Sequence, residues 1–164
     1  MLTDTTLREA FSHFPQGVVL LAAEIDGSPH ALIVSTFTAG VSLDPPLVSV
    51  AVQHSSQTWP LLRHRPRLGV SLLGRGQAAI ARQLASPDRH TRFAGLDVAV
   101  DPEGAITLRN VPASMTTSLH GEMPAGDHDL ALLEVHSIDS VPGAEAMVFH
   151  RSMFRGLEDQ DLNG

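Results

Sequence analysis

Ile33-Val-Ser-Thr-Phe-Thr-Ala-Gly-Val-Ser-Leu-Asp-Pro-Pro46 is the stretch on which the fold turns, because it sets hydroxyls and a glycine kink between two apolar, strand-like runs. Ahead of it, Gly17 to Ile25 is nearly continuous apolar sequence. It ends at Asp26-Gly27, a dipeptide favoured in tight hairpin turns because its second residue accepts positive φ. Ala31 to Thr38 then reads as the returning partner strand, in which Ser35, Thr36 and Thr38 alternate with Val34 and Phe37 before the Ala39-Gly40 kink. A dozen residues on, Ser55-Ser56-Gln57-Thr58 opens a helix predicted from about Thr58 to Arg65. Strand edges with free N–H groups suit a planar heterocycle, and hydroxyls and amides at a helix N-terminus suit a phosphate. The two together ask for a flavin nucleotide.

Working outward, the opening segment reads as a short amphipathic helix. Thr6-x-x-Glu9 fits a capping box, and Leu7, Phe11 and Phe14 share one face before Pro15, a face suited to lidding a barrel. Leu47 to Val52 and Leu68 to Leu73 read as strands that bracket the Thr58–Arg65 helix, in which Pro60 is tolerated because it lies in the first turn. Gln77 to Ala85 is a further predicted helix, and 86–104 is polar and turn-rich, a long surface excursion. Ile106 to Leu108, Leu130 to Ile138 and Ala146 to Phe149 read as closing strands, the last two joined at Pro142-Gly143. Many short strands with a few helices on the rim predict a mostly β barrel or sandwich rather than a βαβ fold. The expected organisation is one domain over 1–156 and a frayed acidic tail from Leu157 to Gly164.

Composition narrows the chemistry. A chain of 164 residues is the size of one domain, and 43% hydrophobic with 18% charged residues describes an ordinary globular protein. No apolar run approaches the roughly 20 residues that span a bilayer, and Met1-Leu-Thr-Asp-Thr-Thr lacks a basic segment followed by an apolar one, so a cytoplasmic protein is expected. Zero cysteines exclude disulfides, thiolate nucleophiles and cysteine-ligated metals. Redox chemistry would then belong to a bound cofactor. Eleven Lys+Arg against eighteen Asp+Glu, a net charge of −7, disfavour a nucleic-acid or anionic-membrane surface. The nine histidines show no metal-ligand spacing, and no metal is expected.

Eight pieces in order, Phe14-Pro-Gln-Gly-Val18, Gly27-Ser-Pro-His30, Val34-Ser-Thr-Phe-Thr38, Val41-Ser-Leu-Asp-Pro-Pro-Leu47, Ser55-Ser56 with Thr58, Arg92-Phe-Ala-Gly95, Ala125-Gly-Asp-His128 and Phe149-His-Arg151, cover nearly the whole chain. In these the sequence resembles the flavin reductase family, NAD(P)H:flavin oxidoreductases that feed reduced flavin to partner monooxygenases. The resemblance implies an FMN-binding split β-barrel of Greek-key type, a two-fold homodimer, FMN or FAD as cofactor, and NADH or NADPH as hydride donor. It implies that Val34, Ser35, Thr36, Phe37, Thr38 and Ser42 line the isoalloxazine ring, that Ser55, Ser56 and Thr58 hold the phosphate, and that Arg92 approaches the phosphate or adenylate. His128 is implied as the catalytic position over the exposed flavin face, orienting the nicotinamide, with Arg151 and Phe154 completing the nicotinamide pocket. The phosphate site must do without a lysine, none being near it.

Departures from the family pattern lie at Gln16, Ile33, Ser152 and Met115-Thr-Thr-Ser118-Leu, and they leave FMN versus FAD open. The rival readings are a flavin-carrier module without pyridine-nucleotide turnover, and a split-barrel oxidase acting on a phosphorylated pyridoxal-type or deazaflavin ligand. The sequence offers no triad or carboxylate pair, which agrees with hydride transfer, where orientation is the protein's task.

Overall fold

Apolar residues run unbroken from Val18 to Ala23 because this segment is buried on both faces: Val19, Leu21 and Ala23 enter one core cluster, Val18, Leu20 and Ala22 a second. A strand sandwiched between two cores has no polar face to alternate with. The computed structural model describes residues 1–157; the acidic tail expected from Leu157 lies, beyond that residue, outside the described residues. The elements in order are α1 (Asp4–Ser12), β1 (Gln16–Gly17), β2 (Val19–Ile25), β3 (Ser28–Val34), β4 (Phe37–Leu43), β5 (Pro46–Gln53), α2 (Trp59–Leu62), β6 (Leu68–Leu72) and α3 (Ala78–Leu84). A 3-10 turn (Arg89–Thr91) follows, then β7 (Val98–Val100), β8 (Ile106–Leu108), β9 (Ala113–Ala125), β10 (His128–Ser140), β11 (Met147–His150) and β12 (Met153–Gly156).

Seven strands form one antiparallel sheet in the order β3-β2-β6-β9-β10-β5-β4, and β1-β11-β12 and β7-β8 form two small sheets. The large sheet curls so that Val34 of β3 and Val48, Val50 and Val52 of β5 share the first core cluster, which Trp59 and Leu62 of α2 plug. The second cluster lies on the opposite face, where Ala81 and Leu84 of α3 and Ile106 and Leu108 of β8 cover β2 and β3. The molecule is thus mostly β with a few helices. Among the described residues the sheet is not closed: the edge strands β3 and β4 are joined through Ser35-Thr36 but not hydrogen-bonded to each other.

Several expectations are corrected. The N-cap of α1 is Thr3, whose Oγ1 accepts the Thr6 N–H at 3.2 Å, not Thr6 with Glu9. None of α1's residues is buried and Phe11 and Phe14 stand exposed, so the helix does not lid the sheet of its own chain. The expected strand Ala31–Thr38 breaks at Ser35-Thr36, because β3 pairs with β2 while β4 turns to pair with β5. The helix expected over Thr58–Arg65 is the single turn α2, since Leu62 is drawn fully into the core and β6 begins at Leu68. The surface excursion contains the 3-10 turn and β7. The Pro142-Gly143 turn joins β10 to β11, but these lie in different sheets. The 13-residue strand β9, centre of the large sheet, has no strand signature in the sequence, its residues being mostly half-buried and its polar and apolar positions irregularly mixed.

Glu122 of β9 faces the plugged end of the first core. Its Oε1 accepts the Trp59 indole N–H at 2.8 Å, and its Oε2 lies 2.6 Å from Arg63 Nη2 as a charge contact. Gly69 of β6 is required by close approach, because a Cβ there would sit 1.8 Å from the Ile106 carbonyl oxygen. That oxygen belongs to backbone, which cannot step aside as a flexible side chain would. Gly69→Ala is therefore expected to lower stability by about 2 kcal/mol or more. Gly121→Ala, where a Cβ meets nothing within 4 Å, is expected to stay within about 0.5 kcal/mol of the parent protein. Equal urea midpoints for the two variants would overturn this account of β6 against β8.

Candidate active site

Strand β5 collects the polar positions singled out in the sequence. Its Val48, Val50 and Val52 face the first core, so Ser49, Ala51 and Gln53 face the other side, by the two-residue period of a strand. Register places Leu132, Leu130 and His128 of β10 beside them, then Gly121, Met123 and Ala125 of β9 beyond. On β5's other flank Thr38 pairs with Ser49 and Ser42 with Leu47. The second core cluster, with α3 and β8, does not extend over this half of the sheet. Met123 is 54% exposed, and a Cβ at Gly40 or Gly121 would meet nothing within 4 Å. An open face with the small residues Ser49, Ala51 and Gly121 at its middle and hydroxyls on the β4 flank fits a flat ring.

The approach to this face is set by two local devices. Thr36 Oγ1 donates to the Ala51 carbonyl at 2.6 Å, tying the β3–β4 link to β5. Between the Thr38–Ser49 and Ser42–Leu47 pairs, four residue steps on β4 oppose two on β5. The expected kink at Ala39-Gly40 is thus a β-bulge, with Gly40 at φ +72°, a backbone conformation that glycine adopts without strain. Val34 is buried in the first core at the end of β3; Ser35, Thr36, Phe37 and Ser42 are half-buried and Thr38 is exposed.

The Ser55–Thr58 loop continues from β5. Ser56 Oγ accepts the Trp59 N–H at 3.1 Å and Ser55 Oγ donates to Gln53 Oε1 at 3.3 Å. Thr58 is only 7% exposed. With α2 a single turn, its dipole adds little, and the loop's anion-binding capacity rests on local hydroxyls and on the Gln57 and Thr58 N–H groups, which have no protein acceptor among the described residues. Sequence reasoning missed Arg89, whose Nη2 donates to Gln57 Oε1 at 3.1 Å from across the fold. Arg92, the arginine singled out in the sequence, spends its Nε on the Ser86 carbonyl at 2.7 Å and its Nη1 on the Ala31 carbonyl at 2.9 Å. Partial burial, and then the neighbouring Arg89 charge, lower its pKa from the ordinary arginine value. Much of its guanidinium serves to staple the excursion to β3.

His128 opens β10 directly across from Gln53, so it shares one end of the sheet with the Ser55–Ser56 loop. Its Nδ1 lies 2.7 Å from Asp127 Oδ1, and its side chain is 28% exposed. The hydrogen bond from His128, and then the charge of that imidazole, hold the Asp127 carboxyl below its ordinary value of 3.8. A carboxyl lowered in the folded state stabilises the fold above the unfolded value, and that contribution is lost as pH falls below 3.8. Asp127 is therefore an anion throughout the neutral range, its side chain 91% exposed and well screened. Alongside, His54 Nε2 lies 3.0 Å from Asp129 Oδ1 and the His54 N–H donates to the Asp127 carbonyl at 2.9 Å.

Arg151 and Phe154 lie on the β11–β12 hairpin. Arg151 is exposed at φ +50° in the turn and its N–H donates to the Ser12 carbonyl at 2.8 Å. Phe154 packs on the second core cluster, its ring 5.5 Å from that of Phe149 and 5.4 Å from the Arg82 guanidinium carbon. None of these contacts reaches His128. Among the described residues no group of three or more His, Cys, Asp or Glu side chains could hold a metal, and no helix is long and apolar enough to cross a membrane.

If the Thr36 hydroxyl positions the β3–β4 link, Thr36→Val should cost about 1 kcal/mol by leaving the Ala51 carbonyl without its partner, while Thr36→Ser keeps the bond. Urea denaturation checks the first effect and a flavin fluorescence titration the second: weaker flavin binding by the valine variant alone is the expected result. Identical behaviour of both variants would detach Thr36 from the site.

Comparison with known proteins matches residues 11–158 to the flavin reductase like domain. A flavin reductase of Pseudomonas putida is 29% identical over 151 residues, covering 92% of this chain and 88% of that protein. The reductase subunit HsaB of a flavin-dependent monooxygenase from Rhodococcus jostii is 28% identical over 92% of this chain and 76% of its own length. Among solved structures, the Streptomyces globisporus NADH:FAD oxidoreductase in complex with NAD and FAD fragments superposes with a TM-score of 0.89 at 30% identity, covering 98% of this chain and 99% of that one. A match over most of the chain, with the open face and hydroxyl loop in place, settles the family: this chain belongs to the flavin reductase like domain family.

Proposed function

We infer that the protein is an oxidoreductase that transfers hydride from NAD(P)H to FMN or FAD and supplies the reduced flavin to a partner monooxygenase. The observation that carries this reading is the convergence on β5: Ala51 ties down Thr36, Gln53 takes the Ser55 hydroxyl, and Gln53 pairs with His128. That convergence supports ring, phosphate and nicotinamide contacts along one strand and its immediate neighbours. A bound flavin supplies the two-electron acceptor, which no side chain of this cysteine-free protein offers.

The protein's share is orientation. The open β4–β5–β10–β9 face, with Val34 to Thr38 and Ser42 at its border, holds the ring; Ser55 and Ser56 hold the phosphate, with buried Thr58 supporting their loop. His128, fixed by Asp127, stands at the same end of the sheet to orient the nicotinamide so that its C4 approaches the ring. Holding donor and acceptor in near-attack geometry contributes rate without an acid or base. Arg151 and Phe154 carry no nicotinamide contact in this reading, since their contacts do not reach His128; residues 1–156 form its working unit as a split barrel. Exposed Val41, Leu43 and Met123 around the open face, and exposed Phe11 of α1 and Phe14 just after it, support a two-fold homodimer that completes the pocket. The protein works in the cytoplasm, without nucleic acid or membrane.

The decisive experiment is steady-state NADH oxidation with and without added flavin. Turnover is expected only when FMN or FAD is supplied; a rate equal to the uncatalysed one sinks the enzyme reading and leaves a carrier. Ser55→Ala combined with Ser56→Ala should raise the flavin KM while kcat stays nearly intact, because a phosphate contact persists unchanged through hydride transfer. Since the Ser56 hydroxyl also accepts the Trp59 N–H at the start of α2, a stability loss of about 1 kcal/mol is expected alongside. His128→Ala should raise the NADH KM or slow stopped-flow flavin reduction while flavin affinity stays within twofold. Parent-like reduction kinetics would remove His128 from the site.

A further inference from the structure

The sequence motifs offer the phosphate one arginine, Arg92, and no lysine; the structure turns Arg92 onto backbone carbonyls and brings Arg89 to the Ser55–Thr58 loop instead. Arg89 is exposed, 32 residues from Gln57 in the chain, and donates from Nη2 to Gln57 Oε1 at 3.1 Å, in the middle of the Ser55–Thr58 loop. Among the described residues no carboxylate forms an ion pair with Arg89 or Arg92. Asp88, the acid next in sequence, is engaged elsewhere: its Oδ1 accepts the His90 N–H at 3.1 Å and caps the 3-10 turn. Two guanidinium groups close enough to repel, in a chain of net charge −7, lack a protein counter-ion where one would be easy to supply.

The turn that carries Arg89 is tied down from within. Gln83 Nε2 donates to the carbonyls of Thr91, Arg92 and Ala94, at 3.2, 3.1 and 2.8 Å, and Arg92 binds the carbonyls of Ser86 and Ala31. The backbone under Arg89 is therefore ordered before any ligand arrives, and the side chain is steered to the loop by Gln57. Pre-ordering of this kind reduces the entropy lost on binding. A guanidinium that spends one N–H on a neutral amide keeps a planar set of donors for phosphate oxygens.

We propose that Arg89, positioned by Gln57, is the cation that binds the flavin phosphate whose remaining contacts come from Ser55 and Ser56, and that it makes the protein selective for phosphorylated flavins over riboflavin. The proposal rests on the flavin reductase reading. Arg92, by contrast, is a positioning residue that holds the turn.

The test compares FMN, FAD and riboflavin as flavin substrates for the parent protein, Arg89→Ala, Arg89→Lys, Gln57→Glu and Gln57→Leu at saturating NADH. Arg89→Ala is expected to raise the KM for FMN and FAD about tenfold or more, with the riboflavin KM moving less than twofold and Arg89→Lys falling between. Gln57→Glu should reproduce the selective loss, and Gln57→Leu, which adds no charge to the loop, should reproduce part of it by removing the acceptor that steers Arg89; the leucine variant carries the test if Arg89→Ala does not fold. A riboflavin KM that rises in parallel, or FMN kinetics untouched in Arg89→Ala and Gln57→Leu alike, overturns the assignment. Should the parent protein oxidise NADH with none of the three flavins, the reductase reading fails by itself. Fluorescence titration with FMN and riboflavin then decides the phosphate assignment separately: a preference for FMN that disappears in Arg89→Ala upholds it, and no preference in the parent protein overturns it.

Discussion

The bond from the Thr36 hydroxyl to the Ala51 carbonyl fixes where the chain goes after β3, and the site depends on that choice. Without it, Val34 to Phe37 could continue the β2–β3 hairpin as one edge strand, as the alternating sequence suggests. With it, the chain leaves the β3 edge, crosses to β5 and runs back along it as β4. The Gly40 bulge then lets the strand pair twice with β5, at Phe37-Thr38 and again at Ser42-Leu43, while its middle swings out. One side-chain hydrogen bond, worth about 1 kcal/mol in net stability, thus selects between two arrangements of the same apolar residues. The large term that makes either possible is burial of the first core, to which β2, β3, β5, β6, β10 and α2 all contribute.

Parts of the fold whose burial is simple were legible in the sequence. The unbroken run through β2 announces a strand covered on both faces, and Val48, Val50 and Val52 announce one covered on a single face. Strand β9 was not legible, because its pattern answers to several neighbours at once. Met115 and Leu119 pack on the first core, the Thr117 hydroxyl donates to the Leu68 carbonyl, Glu122 receives the Trp59 indole, and two register shifts against β10 break the period. The length of α2 was overread for a related reason: an apolar Leu61-Leu62 followed by arginines looks like a continuing amphipathic helix. Leu62 is instead the last residue the core accepts, and Arg63 is held by Glu122.

The candidate site divides along the same line. Thr36, Ser55, Ser56 and His128 are candidates legible from short motifs whose order along the chain carries the family resemblance. That β5 gathers them is a matter of register, set by His128 opposite Gln53 and Leu130 opposite Ala51. Arg89 was invisible because nothing local marks it. Its position follows from how Gln83 and Arg92 fold the excursion back over β3, contacts made to backbone carbonyls that any sequence would offer. The same geometry explains why Arg92, the residue in the motif, is largely occupied while its neighbour three positions earlier is not.

Existing hydrogen bonds also sort the site's hydroxyls by what they can still do. A hydroxyl has one hydrogen to give and two lone pairs to receive with. Thr36 has given its hydrogen to Ala51, so toward a ligand it can only accept, which suits a ring edge bearing an N–H. Ser56 receives the Trp59 N–H and keeps its hydrogen, so it can donate to a phosphate oxygen without giving up its capping role. Ser55 donates to Gln53 Oε1 at 3.3 Å, a longer bond, and must release that contact before it can donate to an anion. Within the loop, Ser56 is therefore the readier hydrogen-bond donor and Ser55 the weaker one. His128 is ordered in the same way: with Nδ1 committed to the Asp127 carboxylate, Nε2 is the ring nitrogen left for another partner. An acceptor at Thr36, a donor at Ser56 and an imidazole fixed by Asp127 form a polarity pattern already in place along β5 and its neighbours. Such a pattern lets orientation alone serve a reaction that needs no acid or base from the protein.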